Sequence, residues 1–457
     1  MSRRIRAAAG SVVLAVACGV GGWSGELSEP ALWLQRYLQI DTSNPPGREA
    51  AAASFLGELL HREGIATRRI VAPGERVSLY ARLEAEEPAE GALLLLHHMD
   101  VVPPGPGWTA DPFAGEVEEG VLWGRGAVDD KSLGIAHLVA FLELKRRGRP
   151  LERDVIFLAV ADEETGSRLG TAWLLEQHPE LFAGVDAVLT EGGSNRAFRG
   201  RQHWWGIEVA QKRPLWLRVT AHGRGGHGST LNLHSAPHRL LRSTHRLLER
   251  PLDFRLTPEA RQYLEAVAPY ESLRLQELVL QLDEIIAAPR PEAQLLPGLP
   301  NFFLDSIQVN VLEAGEKLNV VPWEASALVD IRLLPDADAD AFLKEIRELL
   351  GDQVDVEVLL QAPRVEASPV DHPIFRCLER FLGRQAPVVP AFIPGITDAR
   401  FFRAAGVPAY GVSPFVLEST DLRGIHGPDE RIPLEAFDHG VETMTGLLAE
   451  CAGRHEP

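Results

Sequence analysis

The run Leu93-Leu-Leu-Leu-His-His-Met-Asp-Val-Val-Pro103 constrains this chain more than any other stretch. Four successive leucines show no polar alternation, so they read as a strand covered on both faces, as inside an α/β sheet. Such a strand delivers His98 and Asp100 to its carboxyl end, where open α/β sheets place their ligand sites. Side chains two apart share a face, so Asp100 is expected to hold one nitrogen of His98 while the other is offered to a metal. His97 points to the opposite face and reads as a core residue.

Four further segments repeat that logic: Gly124-Arg-Gly-Ala-Val-Asp-Asp-Lys131, Asp162-Glu-Glu-Thr-Gly166, Thr190-Glu-Gly-Gly193 and Ile425-His-Gly-Pro-Asp-Glu430. Taken singly, each has an ordinary reading, as a hydrogen-bonded core histidine, a solvated acidic pair or a strand-end carboxylate. Together with His98 they supply two imidazoles and several carboxylates, a donor set suited to zinc, with cobalt or manganese possible. Glu163 and Glu164 are neighbours whose side chains point differently, so one can hold a metal while the other faces a reacting water. Cys18, Cys377 and Cys451 are too few and too scattered for a disulfide framework or a thiolate site, so His and carboxylates are left to hold any metal.

With 457 residues the chain is long enough for two domains. Residues 26–206 alternate helices with buried strands, including Val155–Ala161 and Asp186–Thr190, the pattern of a mixed, largely parallel sheet covered by helices. From about Ile207 the texture changes to half-buried strands, with Leu215, Leu217 and Val219 alternating, then Ile307, Val309 and Val311, then Ala325, Ala327, Val329 and Ile331. This reads as a smaller α+β sandwich over residues 207–362 with a helical insert at 251–303. The first texture returns over 363–457, so the small domain is inserted into the large one. A formal charge of −18 opposes a phosphate backbone and makes nucleic acid an unsuitable partner. The basic, then apolar start within residues 1–25 is too short to span a bilayer and reads as a secretory signal. Leu14-Ala-Val-Ala-Cys18 further suggests a lipoprotein anchor at Cys18, and an exported protein is expected.

The five motifs, in this order, resemble the di-zinc metallopeptidase family M20, which includes aminoacylases, glutamate carboxypeptidase, carboxypeptidase S and succinyl-diaminopimelate desuccinylase. The resemblance implies a zinc-exopeptidase-like catalytic domain with an inserted lid and dimerisation domain. It implies two zinc ions, one on His98, Asp129 and Glu191, the other on Asp129, Glu164 and His426, with Asp129 bridging and a cis peptide after it. Glu163 is then the general base and Asp100 the residue orienting His98. In the lid, Gly223-Arg-Gly-Gly-His-Gly-Ser229 matches a segment whose histidine often completes a neighbouring subunit's site, so His227 is a candidate oxyanion donor across a homodimer. Arg332 is a candidate carboxylate clamp, Asn310 a neighbour in the same cleft, and Gly395 and Thr397 lie in a loop that contacts substrate.

The implied activity is hydrolysis of an amide or peptide bond next to a C-terminal amino acid, on a small peptide or an N-acyl amino acid. The long insert and the ending Gly424–Arg431 look most like the carboxypeptidase S and N-fatty-acyl-amino-acid hydrolase branch. A cytosolic deacylase of the acetylornithine deacetylase or succinyl-diaminopimelate desuccinylase type is the alternative enzyme, and a non-catalytic zinc-dependent binding protein the alternative of another class.

Overall fold

The computed structural model describes residues 25–148 and 150–454. The expectations for residues 1–24, including the signal and the anchor at Cys18, lie outside the described residues.

The large sheet is built from β1 (Thr67–Ala72), β2 (Arg76–Leu83), β3 (Ala92–His98), β4 (Val155–Val160), β5 (Val185–Thr190) and β6 (Arg201–Gln211). The small sheet takes β7 (Arg213–His222), β8 (Ser306–Glu313), β9 (Glu324–Leu333) and β10 (Asp355–Gln361), after which β11 (Val388–Ile393) and β12 (Ala409–Gly411) return to the large one. The large sheet runs β1-β2-β4-β3-β5-β12-β6-β11, and the small one β8-β9-β7-β10. At its centre β4, β3, β5 and β12 are parallel, so their carboxyl ends leave on one edge together. Every residue of β3 is buried, as the unbroken leucine run requires of a strand covered on both faces.

The helix Lys131–Arg147 starts directly after the Asp129-Asp130 motif and ends at Gly148, which takes the left-handed conformation that glycine tolerates best. It packs so tightly on β3 that a Cβ at Gly134 would sit 2.3 Å from the His97 ring. His97 therefore lies in the core, between Tyr37, His137 and Phe157. The Asp129-Asp130 bond is cis.

Three readings change against the structure. First, the chain switches sheets at Lys212: Arg201–Gln211 belongs to the large sheet, and the small sheet begins at Arg213. Second, the insert belongs to the large core, where Tyr263, Leu264 and Val267 of helix Pro258–Val267 are buried and Phe302 packs on Phe392 of β11. The amphipathic pattern specifies a buried face but not which domain buries it. The small sheet is consequently entered or left at four places: at Lys212, between Leu248 and Pro258, between Phe303 and Ser306, and after Gln361. Third, Cys377 pairs with Cys451 across a sequence separation of 74, joining helix Pro373–Leu382 to helix Leu434–Ala452. Two helices distant in sequence but packed side by side hide such a pairing from cysteine spacing.

The alternation in the small sheet holds for Leu215, Leu217, Val219, Val329 and Ile331, which form its core with the helices Ala236–Leu248 and Ala339–Leu350. It fails at Val311, which is exposed, because the register of β8 against β9 shifts between Val309 and Val311.

Candidate metal centre

The carboxyl ends of the parallel strands converge as a set. His98 ends β3, Glu163 and Glu164 sit in a short helical turn after β4, and Glu191 follows β5. Asp129 comes from the loop ahead of helix Lys131–Arg147, and His426 from the loop before the last helix. Asp129 stands between the two imidazoles, its Oδ1 3.0 Å from His98 Nε2 and its Oδ2 3.1 Å from His426 Nε2. His426 Nε2 is also 3.2 Å from Glu164 Oε2, and His98 Nε2 is 3.9 Å from Glu191 Oε1. The donor atoms of His98, Asp129 and Glu164 lie within 4.8 Å of one another, and so do those of His98, Asp130 and Glu191. Two overlapping clusters sharing His98 are thus present, with Asp130 an added carboxylate that sequence reasoning missed.

The electrostatics call for cations. Burial raises the carboxyl of Glu191 well above its usual range, and does the same for Asp130. Burial alone would push the His98 imidazolium down, but its hydrogen bond to Asp129 and the charge of Glu191 hold it well above the ordinary histidine value. Hydrogen bonds to Asp129 and Glu164 raise His426 to about 10. Acidic groups crowded with two imidazoles in a buried pocket are stable when divalent charge is shared among them. The N and O donors match zinc, cobalt or manganese in type.

Asp100 departs from its expected role. His98 Nδ1 donates to the main-chain oxygen of Asp100 at 2.8 Å, while the nearest Asp100 carboxylate oxygen is 3.7 Å away. The carboxylate instead accepts the backbone N–H groups of Glu163 and Glu164, both at 3.1 Å, and the Asn44 amide at 2.8 Å. It is fully buried and fixes the turn that carries the two glutamates. Glu163 Oε1 has no hydrogen-bond partner, and the Arg400 guanidinium stands 3.8 Å from it. Burial, followed by the charge of Asp398, holds the Glu163 carboxyl well above the carboxylate range.

These groups open into a cavity of about 590 Å³. One wall is apolar, with Ile393, Ile396, Val412, Phe415 and Leu417; Gly395 and Thr397 belong to the same loops. Trp216 and Arg332, on the face of the small sheet turned away from its own core, also line the cavity. Arg332 grips Asp330 through Nε at 2.7 Å and Nη2 at 2.9 Å, and Asp330 also accepts the Trp216 indole N–H at 2.8 Å. That leaves Nη1 free for a ligand. The small sheet touches the glutamate turn itself, since Gly166, at φ 98°, leaves room for a Cβ only 3.0 Å from Leu360. His227 and Asn310 do not line this cavity; both are exposed on the small domain, and His227 Nδ1 is bonded to Ser229 Oγ at 2.7 Å.

Convergent metal-binding groups beside a buried carboxylate with a free hydrogen-bonding oxygen, in a cavity on the carboxyl edge of a parallel sheet, define a metal-dependent hydrolase of amide bonds. The chain belongs to peptidase family M20/M25/M40, whose pattern matches residues 94–450, and this family binds metal in dinuclear centres. It is 31% identical to aminoacylase-1 of Sus scrofa over 94% of this chain and 97% of that protein. It is 29% identical to succinyl-diaminopimelate desuccinylase of Methylorubrum extorquens (strain PA1), over 90% and 95% of the two chains. Among solved structures it matches the M20 metallo-carboxypeptidase Sso-CP2 of Sulfolobus solfataricus with a TM-score of 0.73, 19% identity and coverage of 93% and 99%.

These relatives correct the expectation of export. Relatives that align along nearly their whole length include aminoacylase-1 and succinyl-diaminopimelate desuccinylase, cytosolic enzymes. Among the described residues no helix is long and apolar enough to cross a membrane.

Proposed function

We propose that the protein is a di-zinc hydrolase that releases an amino acid with a free carboxylate from an apolar acyl or aminoacyl group. The observation that carries this reading is the cavity itself, which is lined by Glu163, whose Oε1 has no hydrogen-bond partner, together with a cluster of metal-ligating groups, apolar side chains and Arg332. His98, Asp129 and Glu191 would hold one ion, with Asp130 beside them, and Asp129, Glu164 and His426 the other. When bound, the metals would polarise the scissile carbonyl and make the attacking water more acidic.

The residues of the chain do the rest. Glu163 takes the water's proton as it attacks and passes it to the leaving amine. Asp100 holds the backbone of Glu163 and Glu164, so that base and ligand keep a fixed relation. Arg332, oriented by Asp330, receives the carboxylate of the released amino acid. The apolar wall takes the acyl side. His227, exposed and outside this cavity, would act on the oxyanion of a second copy's site in a homodimer.

The deciding experiment is a substrate panel with added zinc, comparing N-acetyl, longer N-acyl and dipeptide amides of several amino acids. Cleavage of N-acyl amino acids with apolar acyl groups above the others is expected. Absence of any amide hydrolysis in zinc-loaded protein would refute the reading.

A further inference from the structure

Asp129 and His426 come from segments about 300 residues apart, and one buried ion pair joins the loops that carry them. Glu430 is fully buried. Its Oε1 accepts the backbone N–H of Val128 at 2.8 Å and of Asp129 at 3.0 Å. Its Oε2 accepts the N–H of Gly126 at 2.9 Å and Arg125 Nη1 at 2.6 Å. Arg125, 1% exposed, then reaches back to the other loop, donating Nη2 to the Gly427 oxygen at 2.7 Å and Nη1 to the Gly424 oxygen at 3.4 Å. A carboxylate just beyond His426 thus grips the main chain of Asp129, while a guanidinium just before Asp129 grips the main chain on both sides of His426. Neither side chain lines the cavity.

We propose that Arg125 and Glu430 are positioning residues that fix Asp129 relative to His426 and thereby set the affinity of the metal held by Asp129, Glu164 and His426, without being ligands. This rests on the reading of that triad given above. The argument is one of preorganisation. His426 takes a left-handed backbone at φ 56°, which is unfavourable for a residue with a side chain, so its loop holds a conformation that needs support from outside its own residues. Partners that orient ligands commonly govern metal affinity as strongly as 10- to 100-fold, roughly, when removed. Asp129 is common to both ions whereas His426 serves one alone, so losing the fixed relation between the two loops should weaken both metals and the one on the His426 side more. A merely structural ion pair would weaken the fold and both metals alike.

Glu430→Gln keeps the shape, but whichever way the amide turns, its NH2 faces N–H donors and one half of the clamp is lost. Metal-free protein is titrated with Zn2+ by calorimetry in the presence of a competing chelator. The step abolished in Glu164→Ala identifies the metal on the His426 side. In Glu430→Gln that step should weaken by about 10- to 100-fold and the other by a clearly smaller factor, with the melting temperature of the metal-free protein little changed. Excess zinc should restore kcat with KM unaltered. Arg125→Lys, which keeps the charge and gives up part of the grip on the His426 loop, should show the same selectivity at smaller size, and it decides the matter if the glutamine variant does not fold. Wild-type affinity at both steps, or equal weakening of both, overturns the proposal. Uptake of fewer than two metals by the wild type would instead overturn the reading beneath it.

Discussion

Replacing Glu163 and Glu164 one at a time should separate proton transfer from metal binding, although the two are adjacent in the chain. Glu163 Oε1 has no hydrogen-bond partner, and its nearest opposite charge is Arg400 at 3.8 Å. Glu163→Gln keeps the volume, leaves no cavity and removes no metal-facing contact, so beyond the charge facing Arg400 the loss is that of the proton acceptor. General-base removal typically costs about 10²- to 10⁴-fold, or roughly 3 to 5 kcal/mol of barrier. Glu164 Oε2 lies 3.2 Å from His426 Nε2 and within the cluster shared with Asp129, so Glu164→Gln removes an anionic donor from one ion. Because Asp100 holds the backbone of both residues, neither exchange should move its neighbour. The assay is metal content by elemental analysis beside kcat on the best amide substrate. Glu163→Gln should keep the wild-type metal content with turnover lowered at least about 100-fold, and Glu164→Gln should lose up to half the metal. Equal metal loss in both variants, or a Glu163→Gln enzyme with more than a tenth of wild-type turnover, would refute the division of roles.

Arg332→Lys keeps the charge but gives up the planar fork and its bond pattern to Asp330, so kcat/KM should fall about tenfold or more, roughly 1.4 kcal/mol. Amidating the substrate carboxylate should then cost the wild type more than this variant, and equal cleavage of acid and amide by the wild type would dismiss carboxylate recognition. Mixing His227→Ala chains with Glu163→Ala chains should recover partial activity in exchanged dimers; none recovered counts against a shared site. Replacing Cys377 and Cys451 together by Ala opens a loop with a sequence separation of 74, worth about 4 kcal/mol in chain entropy. Spread over the unfolding entropy of a chain this size, that is a fall of about 4 °C in Tm by calorimetry with kcat unchanged; an unchanged Tm would rule out the contribution.

The large sheet is legible in the chain because its strands announce themselves locally. Leu93–Leu96 and Val155–Ala161 are apolar without alternation, and each ends in a polar group that a buried strand would not otherwise tolerate. His98, Glu163, Glu164 and Glu191 are found by that contrast. Glu430, Asp130 and Asp330 are not, because their work is done on residues brought near only by the fold, as when Glu430 meets the backbone of Asp129. Asp100 misleads for a related reason: spacing two along a strand predicts a shared face, but β3 ends at His98, and Asp100 turns its carboxylate to the neighbouring glutamate turn. The insert is read correctly as helical and assigned to the wrong core, since the stripe of Tyr263, Leu264 and Val267 carries no address.

The four passages between the two sheets also govern how the site opens. A body attached at two points turns freely about the line through them, whereas each attachment off that line must stretch or slide. Here the chain leaves the small sheet after Leu248, threads the large core through Pro258–Phe303 and comes back at Ser306, in addition to the passages at Lys212 and beyond Gln361. Arg255 strengthens the return, pairing with Asp305 at 2.6 Å and Asp336 at 3.0 Å. The wall bearing Trp216 and Arg332 is therefore tied to the large core at several separate points, so any movement of it must be accommodated at all of them together.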